Sequence, residues 1–279
     1  MEAVEYPTRV APEPELAIAI LLGRLAWPKR LCDHEWLFGR SRSYISMTFT
    51  AILLHLHRRY HAIVEWHPYL DYDGIRSYAE ALTKSANTVE IWGFIDGTSR
   101  PICRPGEDQE VFYSGYKKIH GIKFQGIATP DGLIMSCSGP YSGRTNDLRM
   151  FQRSRLEERL RRLFDGRTPY YLFGDSAYQS CYKVRTPLRR YRQLSAQELR
   201  YNQLLSSDRI SVEQVFGRVL QQWHFNCLKS LHKLGLSPIG LHYTVAVLLT
   251  NCYTCLHGNA VSSRYGIQPL PLEQYLGSI

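Results

Sequence analysis

The sequence predicts a mixed α/β fold, a sheet flanked by helices, behind a small all-helical segment. Apolar residues recur at helical spacing between Glu15 and about Trp66, as in amphipathic helices. Near Val89 the pattern changes to short apolar runs bounded by Gly, Pro and Asp, among them VEIWGFI, HGIKFQGIAT, LIMSCS and YYLF, which read as strands. Helical spacing returns over residues 147–164 and again beyond Ala196. With 279 residues, 44% of them hydrophobic and 21% charged, the chain can bury a large core. The same composition excludes a disordered tail, a collagen-like fibre and a coiled coil.

In chain order, residues 1–14 mix prolines and glutamates with few apolar side chains and read as a flexible leader without the basic-then-apolar form of a signal peptide. Residues 15–27 form a helix that ends before Pro28. A short helix over 33–38 is closed by Gly39, and Ser41 caps a long third helix reaching about Trp66. This succession resembles a helix-turn-helix arrangement, with Arg40 and Arg42 as its candidate DNA contacts. A further helix over 71–87 completes a helical domain of residues 15–87.

A second domain spans residues 88–258. Its strands are expected over 89–95, ending on Asp96-Gly97, then 120–129 and 133–138 joined by the turn Pro130-Asp131-Gly132, then 170–173, with a brief strand at 182–186. Helices are expected over 147–164, 196–205 and 211–225. The apolar run 239–256 is close to the lower limit for a membrane span. Its His242, Thr244, Thr250, Asn251 and Thr254 favour a buried core helix and no membrane. Residues 259–279 form a C-terminal tail. Seven cysteines without paired spacing argue against a disulfide framework and for a reducing compartment. Cys252, Cys255 and His257 lack the second pair of ligands that zinc needs.

The net charge is +9, from 34 basic and 25 acidic residues. Residues 1–139 carry 15 basic and 16 acidic side chains, whereas residues 140–230 carry 17 and 8. The surplus belongs to one stretch, and a polyanion is its natural partner.

Two aspartates stand at the ends of buried strands: Asp96 after GFI and Asp175 after YLF. An unpaired buried charge is costly, so packing does not explain them. A divalent cation between them would offset their repulsion and supply the Lewis acid and activated water of phosphodiester chemistry. Glu213 is the candidate third carboxylate, at the border of an apolar stripe made by Val212, Phe216, Val219 and Trp223.

FIDGT at 94–98, RPICRP at 100–105, YSGYKKIHGIKFQGI at 113–127, PDGLI at 130–134, GPYSGRTND at 139–147, YLFGDSAY at 171–178 and SVEQVFGRV at 211–219 closely resemble the Harbinger/PIF-type DDE transposases and their host-domesticated nuclease relatives. FGRSRSYIS at 38–46 is similar to the region that precedes their catalytic domain. The resemblance implies an RNase H-like catalytic domain, with Asp96, Asp175 and Glu213 as catalytic metal ligands. Asp147 matches a further recurrent acid of the family. It implies Mg²⁺ or Mn²⁺ as cofactor, two ions during catalysis, and cleavage of double-stranded DNA at element ends with joining to a target. It also implies a Myb-like DNA-binding partner protein, self-assembly as an open possibility, and a nuclear location, or a cytoplasmic one until such a partner imports the chain. Lys117, Lys118, His120, Arg144, Arg153, Arg155, Arg159, Arg161 and Arg162 are the candidate phosphate contacts, which position DNA without reading its sequence. Two other readings compete: a non-catalytic DNA or chromatin adaptor, and an RNA-processing nuclease with the same core.

Overall fold

A computed structural model describes residues 12–86, 90–164, 168–188 and 194–277; most of the expected leader lies outside the described residues. The chain opens with four helices: α1 (Pro14–Ala26), α2 (Leu31–Phe38), α3 (Arg42–Glu65) and α4 (Tyr72–Ala86). Their ends follow local chemistry. Proline occupies the first turn of α1, where a missing N–H costs nothing. Gly39 closes α2 at φ 60°, and the Ser41 hydroxyl accepts from Tyr44 N at 3.3 Å to start α3.

The sheet follows, with β1 (Ile91–Pro101), a single-turn α5 (Gln109–Phe112), β2 (Tyr113–Ser114), β3 (Ile119–Ala128) and β4 (Ile134–Ser142). Helices α6 (Asp147–Arg153) and α7 (Leu156–Leu163) then lead into β5 (Tyr171–Phe173) and β6 (Val184–Arg185). Across the sheet the order is β4, β3, β1, β5, β6, with β2 also paired to β3. β3 is antiparallel to β1 and β4, whereas β1, β5 and β6 run parallel. Long α8 (Ala196–Gln222), core helix α9 (Ile239–His257), and the short α10 (Ala260–Tyr265) and α11 (Leu272–Leu276) complete the chain. A six-stranded mixed sheet flanked by helices is consistent with the expected RNase H-like fold.

β4 runs on to Ser142, and the expected tail carries α10 and α11; two further differences from the sequence reading bear on the site. β1 does not stop at Asp96-Gly97 but continues to Pro101, because β3 pairs with it along that whole stretch, down to Pro101 opposite Gly121. What ends near Asp96 is the ladder on the other side, whose last pair is Phe94 with Phe173. The two helices expected over 196–205 and 211–225 are one, α8. The polar residues between them include neither Gly nor Pro, and weak propensity alone does not break a helix. Of its apolar stripe, Phe216, Val219 and Trp223 are buried; the Val212 side chain lies outside the described residues.

One contiguous core joins the N-terminal helices to the sheet, including Ile20, Leu53, Trp92, Phe124 and Tyr243. α9 lies within it. The Tyr243 ring sits 4.5 Å from that of Phe124 on β3. The polar residues that argued against a membrane span have protein partners. Asn251 accepts from Ile134 N at 2.9 Å and donates to Ile134 O at 2.8 Å, tying α9 to the start of β4. Thr250 accepts from the Trp223 indole at 2.9 Å.

The same core encloses His242, packed edge-on against Phe225 at 4.8 Å between ring centroids. Burial, reinforced by His232 and Arg24, pushes its pKa down to about 3. The unfolded chain takes up this proton near pH 6.5 and the folded chain does not. His242 therefore contributes stability that is present above pH 6.5 and lost as the pH falls towards about 3. Its share of the acid limb is about 1.4 kcal/mol per pH unit, the slope for one proton. Urea unfolding of His242→Leu across this range is expected to show a correspondingly flatter limb; an unchanged slope would contradict the assignment.

Candidate active site

The ladder between β1 and β5 brings the two aspartates together. Phe94 pairs with Phe173 in parallel register, and each stands two residues before an aspartate. The chains therefore leave the ladder together, and Asp96 and Asp175 line the same cleft. The Asp96 Oδ1 accepts from Gly97 N at 2.8 Å. The Asp175 Oδ1 accepts from Ala177 N at 2.9 Å, capping a single 3-10 turn over Ser176–Tyr178.

Glu213 arrives from above. Asp96 stands directly opposite Gly126 on β3, so their side-chain positions share a face. The Phe216 ring covers that face: a Cβ on Gly126 would fall 2.6 Å from Phe216 Cζ. Glu213 is one turn before Phe216 on α8 and lines the same cleft as Asp96. Asp147 enters from the opposite side as the first residue of α6, whose cap Asn146 accepts from Arg149 N at 2.9 Å. Gly97 makes room for it, since a Cβ there would lie 2.7 Å from Asp147 Oδ1.

All four acids line one cleft of about 470 Å³, together with Thr98, Ser99, Arg100, Lys117, Lys123 and Phe216. Their fields overlap. Burial raises the Asp147 pKa, Asp175 adds to the rise, and Lys123 and Lys117 oppose it. The buried Tyr178 hydroxyl is held well above its ordinary value by burial and then by Asp147, Asp96 and Asp175, and it has no hydrogen-bond partner among the described residues. The Lys117 pKa is lowered by burial and the Arg100 charge, against the pull of Asp96 and Asp147.

This donor set of hard carboxylate oxygens fits Mg²⁺ or Mn²⁺. As placed, no three His, Cys, Asp or Glu side chains among the described residues are gathered tightly enough to hold one ion. Glu213 is exposed at the rim of this cleft.

Of the other sequence candidates, Lys117 joins the acids. His120 packs on the Tyr113 ring at 5.2 Å, while Lys118 and Arg144 are exposed. Arg153, Arg155 and Arg159 line a second cleft of about 520 Å³ beside β4, with His57 and His61. Arg159 bonds Glu65 at 2.6 Å, Arg161 bonds Glu157 at 2.8 Å and Arg162 pairs with Glu158. Arg42 faces Glu35 at 3.6 Å, and Arg40 lies over the Tyr44 ring. Sequence reasoning missed Arg100 and Lys123. Strand parity could have found Arg100, four residues beyond Asp96 and therefore on its face.

Comparison with protein families matches residues 95–251, more than half the chain, to the DDE superfamily endonuclease family. The chain belongs to that family, and the matched stretch contains all four acids. Among curated proteins it is similar to a probable transposase for insertion sequence element IS702 from Microchaete diplosiphon, 29% identical over 133 residues. That alignment covers 45% of this chain and 45% of the relative. No solved structure matches.

Because Gly126 sets the height of α8, Gly126→Ala is expected to destabilise the chain by about 1–3 kcal/mol through overpacking. Phe216→Leu in the same molecule should restore part of that loss. Equilibrium urea unfolding of the single and double variants checks it; additive losses would show that the two residues are not in contact.

Proposed function

We propose that this chain is a divalent-metal-dependent DNA endonuclease of the transposase type, with Asp96, Asp175 and Glu213 as its catalytic metal ligands. One observation carries the reading: acids from β1, the loop after β5, the start of α6 and the middle of α8 line a single cleft. An adaptor that only binds DNA has no chemical need for such convergence. The cation these residues fit supplies a Lewis acid and a water of lowered pKa. Asp96 and Asp175 provide the fixed pair of oxygens, each oriented by a backbone N–H. Glu213 closes the site from the helix side. Asp147, whose pKa burial raises, supports the site from below Gly97 as a further acid. Lys117 places positive charge where a phosphate would enter.

The Harbinger/PIF assignment rests on the motif series around these acids. A Myb-like partner, a nuclear location and the joining of cut ends to a target belong to that finer reading. So does the division into a helical segment of residues 15–87 and a catalytic domain of residues 88–258.

Asp96→Asn is expected to abolish nicking of duplex DNA in Mn²⁺ while leaving the fold intact, because Asn is a poor ligand for a hard cation. Melting curves should show the wild type gaining stability in Mn²⁺ by mass action and the variant gaining clearly less. A variant that cuts at the wild-type rate would remove Asp96 from the mechanism and overturn the reading.

DNA affinity should be mainly electrostatic, each phosphate contact adding about 0.9 to the slope of log K against log salt. Charge reversal at Arg153 and Arg155 should weaken binding to all sequences alike. Reversal at Arg161 and Arg162 should weaken it less, since glutamates of their own helix already engage both. Anisotropy titrations over a salt series decide this, and salt-independent affinity would contradict it.

A further inference from the structure

The cleft holds one buried cation that the proposed chemistry does not use. Asp96, Thr98 and Arg100 alternate onto one face of β1, opposite Gly126, Phe124 and Ile122. Arg100 is only 5% exposed. Its guanidinium donates to the Thr98 hydroxyl, and its Cζ stands 4.9 Å from the centroid of the buried Tyr243 ring. Those contacts leave the fork incomplete. Its Nε–H is buried without a partner, and among the described residues no carboxylate forms an ion pair with it. Arginine is rarely buried unpaired, because a desolvated charge needs an opposite charge and hydrogen bonds to fill its valences.

The position of Arg100 says what is missing. It lines the cleft that contains the four acids, so its charge lies at the edge of the space a substrate would occupy. Lys117 lines the same space and feels the charge of Arg100 as repulsion. Two cations that share a cleft and repel each other are both stabilised by an anion that touches the two of them. A residue meant to neutralise Asp96 would turn its fork onto that carboxylate. Instead the fork stops at Thr98, one two-residue step, or about 7 Å, from Asp96 along the strand. That is too far to touch a phosphorus under attack at the acids, and within reach of the adjoining phosphate.

We propose that Arg100, with Lys117, forms a seat for one phosphate of the DNA strand, next to the phosphate presented to the carboxylates. The proposal rests on the nuclease reading. The planar fork of arginine matches two oxygens of a phosphate, which the point charge of lysine does not. Binding there would complete the hydrogen bonds of Arg100 and separate it electrically from Lys117. It would also set the register of the strand over Asp96, Asp175 and Glu213.

The test uses the full chain, a short labelled DNA duplex, EDTA to exclude divalent ions, and anisotropy titrations between about 50 and 200 mM salt. Arg100→Gln is expected to bind about tenfold or more weakly, the worth of one charged hydrogen bond, and its salt slope should fall by about 0.9. Arg100→Lys should recover the slope but not the affinity, since charge returns without the fork. Lys117→Gln, in the turn before β3, should lower the slope similarly. Its effect and that of Arg100→Gln should be non-additive if one phosphate bridges the two. If Arg100→Gln does not fold by circular dichroism, Lys117→Gln and Arg100→Lys carry the test. Wild-type affinity and slope in the folded variants would overturn the seat. If the wild type nevertheless cuts DNA in Mn²⁺, only the seat falls; a wild type that neither binds nor cuts DNA overturns the nuclease reading with it.

Discussion

The structure depends on the end of one ladder. β1 and β5 pair only as far as Phe94 and Phe173, and beyond that point both chains turn acidic within two residues. Had the pairing run further, Asp96 would have been held between two strands, where it is now paired on one side only. Had it ended sooner, the two carboxylates would have diverged. As it stands, two half-buried acids follow the end of the parallel ladder, with a third acid beside Gly97 and a fourth from α8 in the same cleft. Such an arrangement is electrostatically unfavourable on its own. Its cost must be offset by positive charge, and Lys117, Lys123 and Arg100 around the same cleft supply only part of it.

Bringing the fourth acid into place falls to side chains with no charge. α8 reaches the sheet because Gly126 has no Cβ and the Phe216 ring occupies that space. Further along, α8 is anchored to α9 by the Trp223–Thr250 hydrogen bond, and α9 to β4 by Asn251. A change in this apolar and amide scaffold would move Glu213 without touching the cleft. The site is therefore a tertiary property, complete only when sheet, α6 and α8 have docked.

The sequence was legible wherever the signal was local. Gly39, Ser41 and Pro28 mark helix ends that the structure keeps, and GFI and YLF preceding Asp identify the acids that share the cleft. Features that depend on pairing were not legible. β1 continues past Asp96 because β3 lies beside it, and no residue between Gly97 and Pro101 announces that neighbour. α8 runs unbroken through a polar stretch that reads as a gap, since the absence of Gly and Pro is a weaker cue than the presence of apolar spacing. Arg100 was readable by strand parity only once β1 was known to extend that far. Its meaning needed the burial that no sequence pattern shows.

Charge counting misleads in the same way. Residues 140–230 carry a surplus of nine basic side chains, yet several are already engaged. Arg159, Arg161 and Arg162 each hold a glutamate, and Arg185 holds Glu90. The exposed pairs among these contribute little to stability, but all of them reduce the positive field that a polyanion meets. Arg153 and Arg155, exposed beside β4 in the cleft that also contains His57 and His61, form no such pair among the described residues. Arg100, in the neutral first half of the sequence, is buried in the cleft of the acids and forms no ion pair among the described residues. What a cation contributes is set by its partner and its solvent, so one buried arginine among carboxylates can matter more than a row of surface arginines already matched.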